Sequence, residues 1–142
     1  MNVTSKDGLL VGELGWTNYP LAYPKSINLM RKVQHAYDTV LQEVDFLIMP
    51  TCITPSNRYP TPGATPLEQS NAAVGKLENT SSFNGTGHPA LAMPMGLVDV
   101  EDSEVAGLKM PVSLQIVGRY WDEVGILKAA YAWEKTQDWR SL

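Results

Sequence analysis

Asp45-Phe46-Leu47-Ile48-Met49-Pro50 decides the architecture of this chain. Four apolar residues follow one another without polar alternation, as in a strand buried on both faces, and Pro50 stops the run. Directly before it, Ile27, Met30, Val33, Tyr37, Leu41 and Val44 recur at helical steps. Lys32, His35, Asp38 and Gln42 fall between them. The spacing predicts an amphipathic helix over 25–43 feeding a strand over 45–49. A helix that leads into a two-sided strand is the signature of a layered α/β protein.

On the N-terminal side, residues 1–20 read as an irregular approach ending at Asn18-Tyr19-Pro20, and Pro24 suits a first helical turn. Residues 50–66 hold five prolines and predict a long ordered loop. A short helical stretch is expected over Leu67–Val74, then a polar loop over Asn79–Pro89. A second strand over Ala90–Met93 stops at Pro94 and Gly96. Asp99, Glu101, Asp102 and Glu104 before Gly107 predict a solvated turn between strands. An EF-hand reading fails, because its glycine and closing glutamate positions hold Glu104 and Met110. Pro111–Val117 is the third strand, with Val112, Leu114 and Ile116 on one face. Asp122 then suits the N-cap of a last helix reaching Gln137. Trp121, Trp133 and Trp139, with Tyr120 and Tyr131, read as core and helix packing, with an exposed partner patch as the alternative.

The 142 residues suffice for one domain. An apolar share of 44% with 18% charged residues describes a folded protein. The net charge of −4, with 11 dispersed basic residues, argues against a nucleic-acid partner. Cys52 has no second cysteine to pair with, which fits a reducing compartment. No apolar run is long enough for a signal peptide or a membrane span, so a cytoplasmic setting without a membrane partner is expected, and the sequons at Asn2, Asn79 and Asn84 read as chance.

Several groups invite a chemical reading. Ser81-Ser82 beside Gly85-Thr86-Gly87-His88 suggests a nucleophile, but a serine needs a base in reach and oriented oxyanion donors, and the sequence identifies neither. The segment reads instead as a structural loop. Gly85-Thr86-Gly87 leads into a strand, whereas phosphate cradles lead into helices. Cys52, His35 and His88 stand at spacings unlike those of metal sites. No metal or other cofactor is expected.

Taken together, several stretches resemble the amidase-signature family of amidases, acetamidases and the amidase subunit of tRNA-dependent amidotransferases. They are Asn18-Tyr19-Pro20, Asn28–Lys32 with Ala36-Tyr37-Asp38, and Val44–Thr51. The most specific piece is Asn79-Thr80-Ser81-Ser82-Phe83-Asn84-Gly85-Thr86-Gly87-His88-Pro89-Ala90-Leu91, continued by Met93–Gly96. Met110–Arg119 with Asp122-Glu123, and Ala129–Glu134, complete the match; Ser113 stands where the family usually has glycine.

The resemblance covers nearly the whole chain and corresponds to roughly the last quarter of a full member. It implies one incomplete domain over 1–142, part of an α/β/α sandwich around a large mixed sheet. Members of the family cleave C–N amide bonds with a serine nucleophile, a second bridging serine and a lysine base, and a glycine/serine-rich segment carries the serines. Nothing here resembles that segment, so the resemblance carries no catalytic residue into this chain. It implies a truncated or separately encoded C-terminal piece, inactive alone, or a non-catalytic interaction module built on the same fold.

Ligands of open sheets approach the carboxyl ends of strands. Thr51 and Cys52 after the first strand, and Phe83 and Asn84, are therefore the expected substrate-binding residues for a small amide. The strands missing from such a sheet would leave an open edge and apolar surface. Self-association, or a complex with an N-terminal amidase portion, is the expected partner behaviour.

Overall fold

The computed structural model describes residues 2–73, 77–100, 107–136 and 138–141. In chain order the elements are α1 (Val3–Asn18), α2 (Ala22–Val40), β1 (Leu47–Pro50), α3 (Pro66–Ala73), α4 (Glu78–Thr86), β2 (Ala90–Asp99), β3 (Lys109–Val117), α5 (Glu123–Thr136) and a 3₁₀ turn at Trp139–Ser141. The α/β class expected from the sequence is what the structure has. Among the described residues, no helix is long and apolar enough to cross a membrane.

The chain divides into two compact units. The first comprises residues 1–32 and 56–75, the second residues 33–55 and 76–142. In the first unit α1 replaces the irregular approach expected over 1–20. Gly8, Gly12 and Gly15 lower its intrinsic propensity. Asn2 offsets part of this by capping the helix, its side chain accepting from Ser5 N–H at 2.8 Å. α3 opens on a reciprocal box: Thr65 N–H and Oγ1 both bond Glu68 Oε2, and Glu68 N–H returns to Thr65 Oγ1. Val74, the expected end of this helix, lies outside the described residues.

The second unit holds the sheet, in the order β1-β3-β2, with both pairings antiparallel. Successive strand residues face opposite sides, and the sheet is covered on both. On one side Met93 and Ile116 pack against Ile126 and Ala130 of α5, with Phe46, Leu91, Leu114 and Trp133 around them. On the other, Gln115 Nε2 donates to Asn79 O of α4 at 2.8 Å. Helix, sheet and helix layers thus occur in this unit, as a partial sandwich requires.

Gly118 allows the tight approach of α5, since a Cβ there would stand 2.9 Å from Ile126 Cγ2. The chain then turns through Trp121, which takes a left-handed φ of 64° and is 87% exposed. Trp121 and Tyr131 are exposed, while Tyr120, Trp133 and Trp139 are half-buried, so only part of the aromatic group packs as expected.

Three further expectations are corrected. α4 replaces the polar loop over Asn79–Pro89, because burying Phe83 and Thr86 outweighs the weak propensity of its polar residues. β2 runs past Pro94 and Gly96 to Asp99, because a bulge between Pro94 and Gly96 absorbs the irregularity. β1 is not buried on both faces: Leu47 and Met49 are half-buried, whereas Ile48 is 63% exposed. The acidic stretch joins β2 to β3, with Val100 N–H donating to Leu108 O at 3.0 Å, but Glu101, Asp102 and Glu104 lie outside the described residues. So does Gln137, the expected end of the last helix.

Candidate functional site

The carboxyl end of β1 is tied down at two points. Thr51 N–H donates to Ser113 O at 3.0 Å, and Asn79 Nδ2 donates to Pro50 O at 2.8 Å. Gln115 Nε2 in turn holds Asn79 O. The loop after β1 and the first turn of α4 are therefore one connected site, and α4 carries Phe83 and Asn84. Asn79 and Gln115, which make the connection, were not candidates from sequence. A glutamine between Leu114 and Ile116 in a largely apolar strand was the available signal.

The four expected contact residues fall into two kinds. Cys52 is an exposed free thiol, and Asn84 is exposed on α4. Phe83 is buried with its ring 5.1 Å from that of Tyr37. Thr51 is half-buried, and its Oγ1 is shut from solvent with no hydrogen-bond partner among the described residues. Cys52 and Asn84 thus offer polar atoms outward, while Phe83 and Thr51 shape the frame behind them. A separate groove of about 460 Å³ lies between β2 and α5, lined by Leu91, Met93, Leu127, Ala130, Tyr131 and Glu134. None of the four candidates lines it.

His88 has a definite place. Its side chain is fully buried, with Nε2 3.2 Å from Asp38 Oδ1 and Nδ1 3.0 Å from Thr86 Oγ1. An ionised carboxylate only accepts, so Nε2 carries the proton; in the neutral ring Nδ1 accepts from the Thr86 hydroxyl. Tyr37 meets the ring edge-on at 5.8 Å, and Tyr120 lies against it at 4.5 Å. The Tyr120 hydroxyl donates to Thr86 O. Burial, then the negative charge of Asp38, raises the Tyr120 pKa, and a hydrogen bond with Gln34 works against the shift. The phenol therefore stays protonated, as its donor role needs.

Both ring nitrogens of His88 are engaged within the protein, so neither Ser81 nor Ser82 has it as a base. For the same reason it offers no free nitrogen to a metal. The cluster joins α2, the end of α4 and the turn after β3. Gly87 permits it: its left-handed φ of 79° ends α4, its N–H donates to Phe83 O, and a Cβ would stand 3.4 Å from the Tyr120 hydroxyl.

Arg119 performs a similar service beyond α2. Its Nε donates to Leu41 O at 2.7 Å and its Nη2 to Val44 O at 2.9 Å, satisfying carbonyls that a helix end leaves open. Its contact with Asp45 at 3.5 Å is exposed and adds little.

The family model described as Amidase matches residues 12–127. This chain belongs to the amidase family. An uncharacterized protein in the nthA 5′ region of Rhodococcus erythropolis is 34% identical over 136 residues, covering 95% of this chain and 64% of that protein. A glutamyl-tRNA(Gln) amidotransferase subunit of Thermodesulfovibrio yellowstonii is 30% identical over 124 residues, 87% of this chain and 23% of that subunit. The corresponding protein of Methanosarcina acetivorans is 32% identical over 119 residues, 84% of this chain and 22% of that protein. The chain therefore spans less than a quarter of these two amidotransferase subunits and just under two thirds of the Rhodococcus protein.

Proposed function

We propose that this chain is the C-terminal segment of an amidase-signature hydrolase acting on C–N amide bonds, and that it has no Ser-Ser-Lys machinery of its own. One observation carries the reading: the family match runs through most of the chain, yet the chain spans only 22–23% of the two amidotransferase subunits. In this reading the segment supplies part of a larger mixed sheet and one wall of the substrate pocket. Cys52 and Asn84 meet a small amide directly, and Thr51 and Phe83 hold the wall in shape. Catalysis needs an N-terminal amidase portion, and the completed protein works in the cytoplasm.

The test assays the purified chain on small aliphatic and aromatic amides, alone and mixed with the N-terminal portion of a related amidase. No turnover alone and turnover on mixing is the expected result. Turnover by the chain alone that disappears in Ser81→Ala or Ser82→Ala would defeat the proposal and return the nucleophile to this chain. A stable complex without turnover would favour a non-catalytic interaction module instead.

A further inference from the structure

α4 depends on its neighbours for its shape. It has nine residues, from Glu78 to Thr86, and most of them are weak helix formers. A helix that short is marginal in water, and Leu77 gives it no side-chain cap. Its conformation therefore comes from the groups that grip it. Asn79 and Gln115 tie down the first turn. His88 grips the last: its Nδ1 accepts from the Thr86 hydroxyl at 3.0 Å, while the Tyr120 hydroxyl donates to Thr86 O.

That second grip does more than fill space. A neutral imidazole has two tautomers, and the hydrogen bond made by one nitrogen sets the state of the other. Asp38 accepts from Nε2 at 3.2 Å across 50 residues of sequence, so Nδ1 is left as the acceptor that Thr86 needs. Both ring nitrogens are engaged, and a satisfied buried network fixes one arrangement where an apolar contact would allow several. Phe83 shares a helix face with Thr86 and packs against Tyr37, which also meets the His88 ring. Phe83 and Thr86 are thus fixed on the inner face of α4, and Asn84 between them is turned outward.

We infer that His88, oriented by Asp38, is a positioning residue that acts through Thr86 to aim Asn84 at the amide substrate. The inference rests on the proposed function and names what holds its Asn84 contact in place. His88 itself touches neither substrate nor reacting atoms. Asn84 on the pocket wall contributes binding that is the same before and during the reaction, so a loss of aim should appear in KM and spare kcat.

The experiment measures kcat and KM on propionamide and benzamide for the chain completed with the N-terminal portion of a related amidase. His88→Leu is expected to raise KM about fivefold or more, with kcat within about twofold of wild type. Thr86→Val removes only the hydroxyl, should reproduce that rise, and serves where His88→Leu does not fold. Thr86→Ser keeps the hydroxyl and should stay within about twofold of the wild-type KM. Because His88 acts through Asn84, adding His88→Leu to Asn84→Ala should raise KM by less than about a further twofold. Ile126→Val lowers stability on the other side of the sheet and should leave KM unchanged. An unchanged KM in His88→Leu and Thr86→Val, an equal rise with and without Asn84, a fall confined to kcat, or the same rise in Thr86→Ser or Ile126→Val would overturn the inference and leave the proposed function standing. No turnover by the wild-type complex, or Asn84→Ala with a wild-type KM, would defeat the proposed function or its contact at Asn84, and the inference with either.

Discussion

The two units bury their apolar residues very differently. Every buried hydrophobic residue among those described, including Leu41 and Val117, belongs to the sheet unit. In the other unit α1 buries nothing, and Leu9, Leu10, Val11, Leu14 and Trp16 all face solvent. A helix that is apolar around much of its girth ordinarily sits inside a larger body. The sheet unit therefore has the beginnings of its own core, whereas the α1 unit has apolar surface suited to covering by other chain. Family membership fits both observations, because a longer domain would supply the covering residues.

The contrast is most exposed to disproof at its extremes. Leu41 is 1% exposed, and Leu41→Ala should cost about 2–5 kcal/mol in urea unfolding. Leu10, 71% exposed, should lose less than about 0.5 kcal/mol on the same change. Equal costs would erase the distinction between the units.

Within the sheet unit, Asp38→Ala removes the acceptor for a buried imidazole N–H. A loss of about 1–3 kcal/mol is expected, since the stranded donor keeps its desolvation cost. A midpoint unchanged in Asp38→Ala would show that water replaces the carboxylate. Thr51→Val should behave in the opposite sense. The Thr51 Oγ1 has no partner among the described residues, so an isosteric methyl should be neutral or stabilising by up to about 1 kcal/mol. A clear destabilisation would mean that the hydroxyl does find a partner.

The smallest effect belongs to the α1 unit. Hydrogen bonds from the Thr65 backbone and then from its hydroxyl hold the Glu68 carboxyl below its usual pKa. A lowered folded-state pKa stabilises above the unfolded value, and that stability is lost as pH falls through the folded value. Glu68→Gln should therefore flatten only the acid side of a helicity titration, and weakly, because the group is exposed. A difference between the two proteins confined to alkaline pH would contradict the capping role.

Much of the sheet unit was legible in the sequence because its signals are local and repeated. The apolar steps before Leu41 and the run through Ile116 set out helix and strand without any partner in view. α4 was not legible, since its residues favour turns and only the burial of Phe83 and Thr86 decides for helix. α1 was missed for a related reason: three glycines weaken its helical signal, and periodicity does not register the Asn2 cap. The candidate site was readable at its strand end, where Pro50 closes β1 and Thr51 and Cys52 follow. The pairing of His88 with Asp38 spans 50 residues and could only be seen in three dimensions.

Residue-resolved hydrogen exchange on the chain alone, at low concentration, puts the contrast between the units to its plainest test. Ile116 and Val117 amides should approach the protection set by global unfolding, while α1 amides exchange orders of magnitude faster. Protection of α1 equal to that of β3, in a chain sedimenting as a monomer, would contradict the difference between a sheet unit with its own core and an α1 that buries nothing.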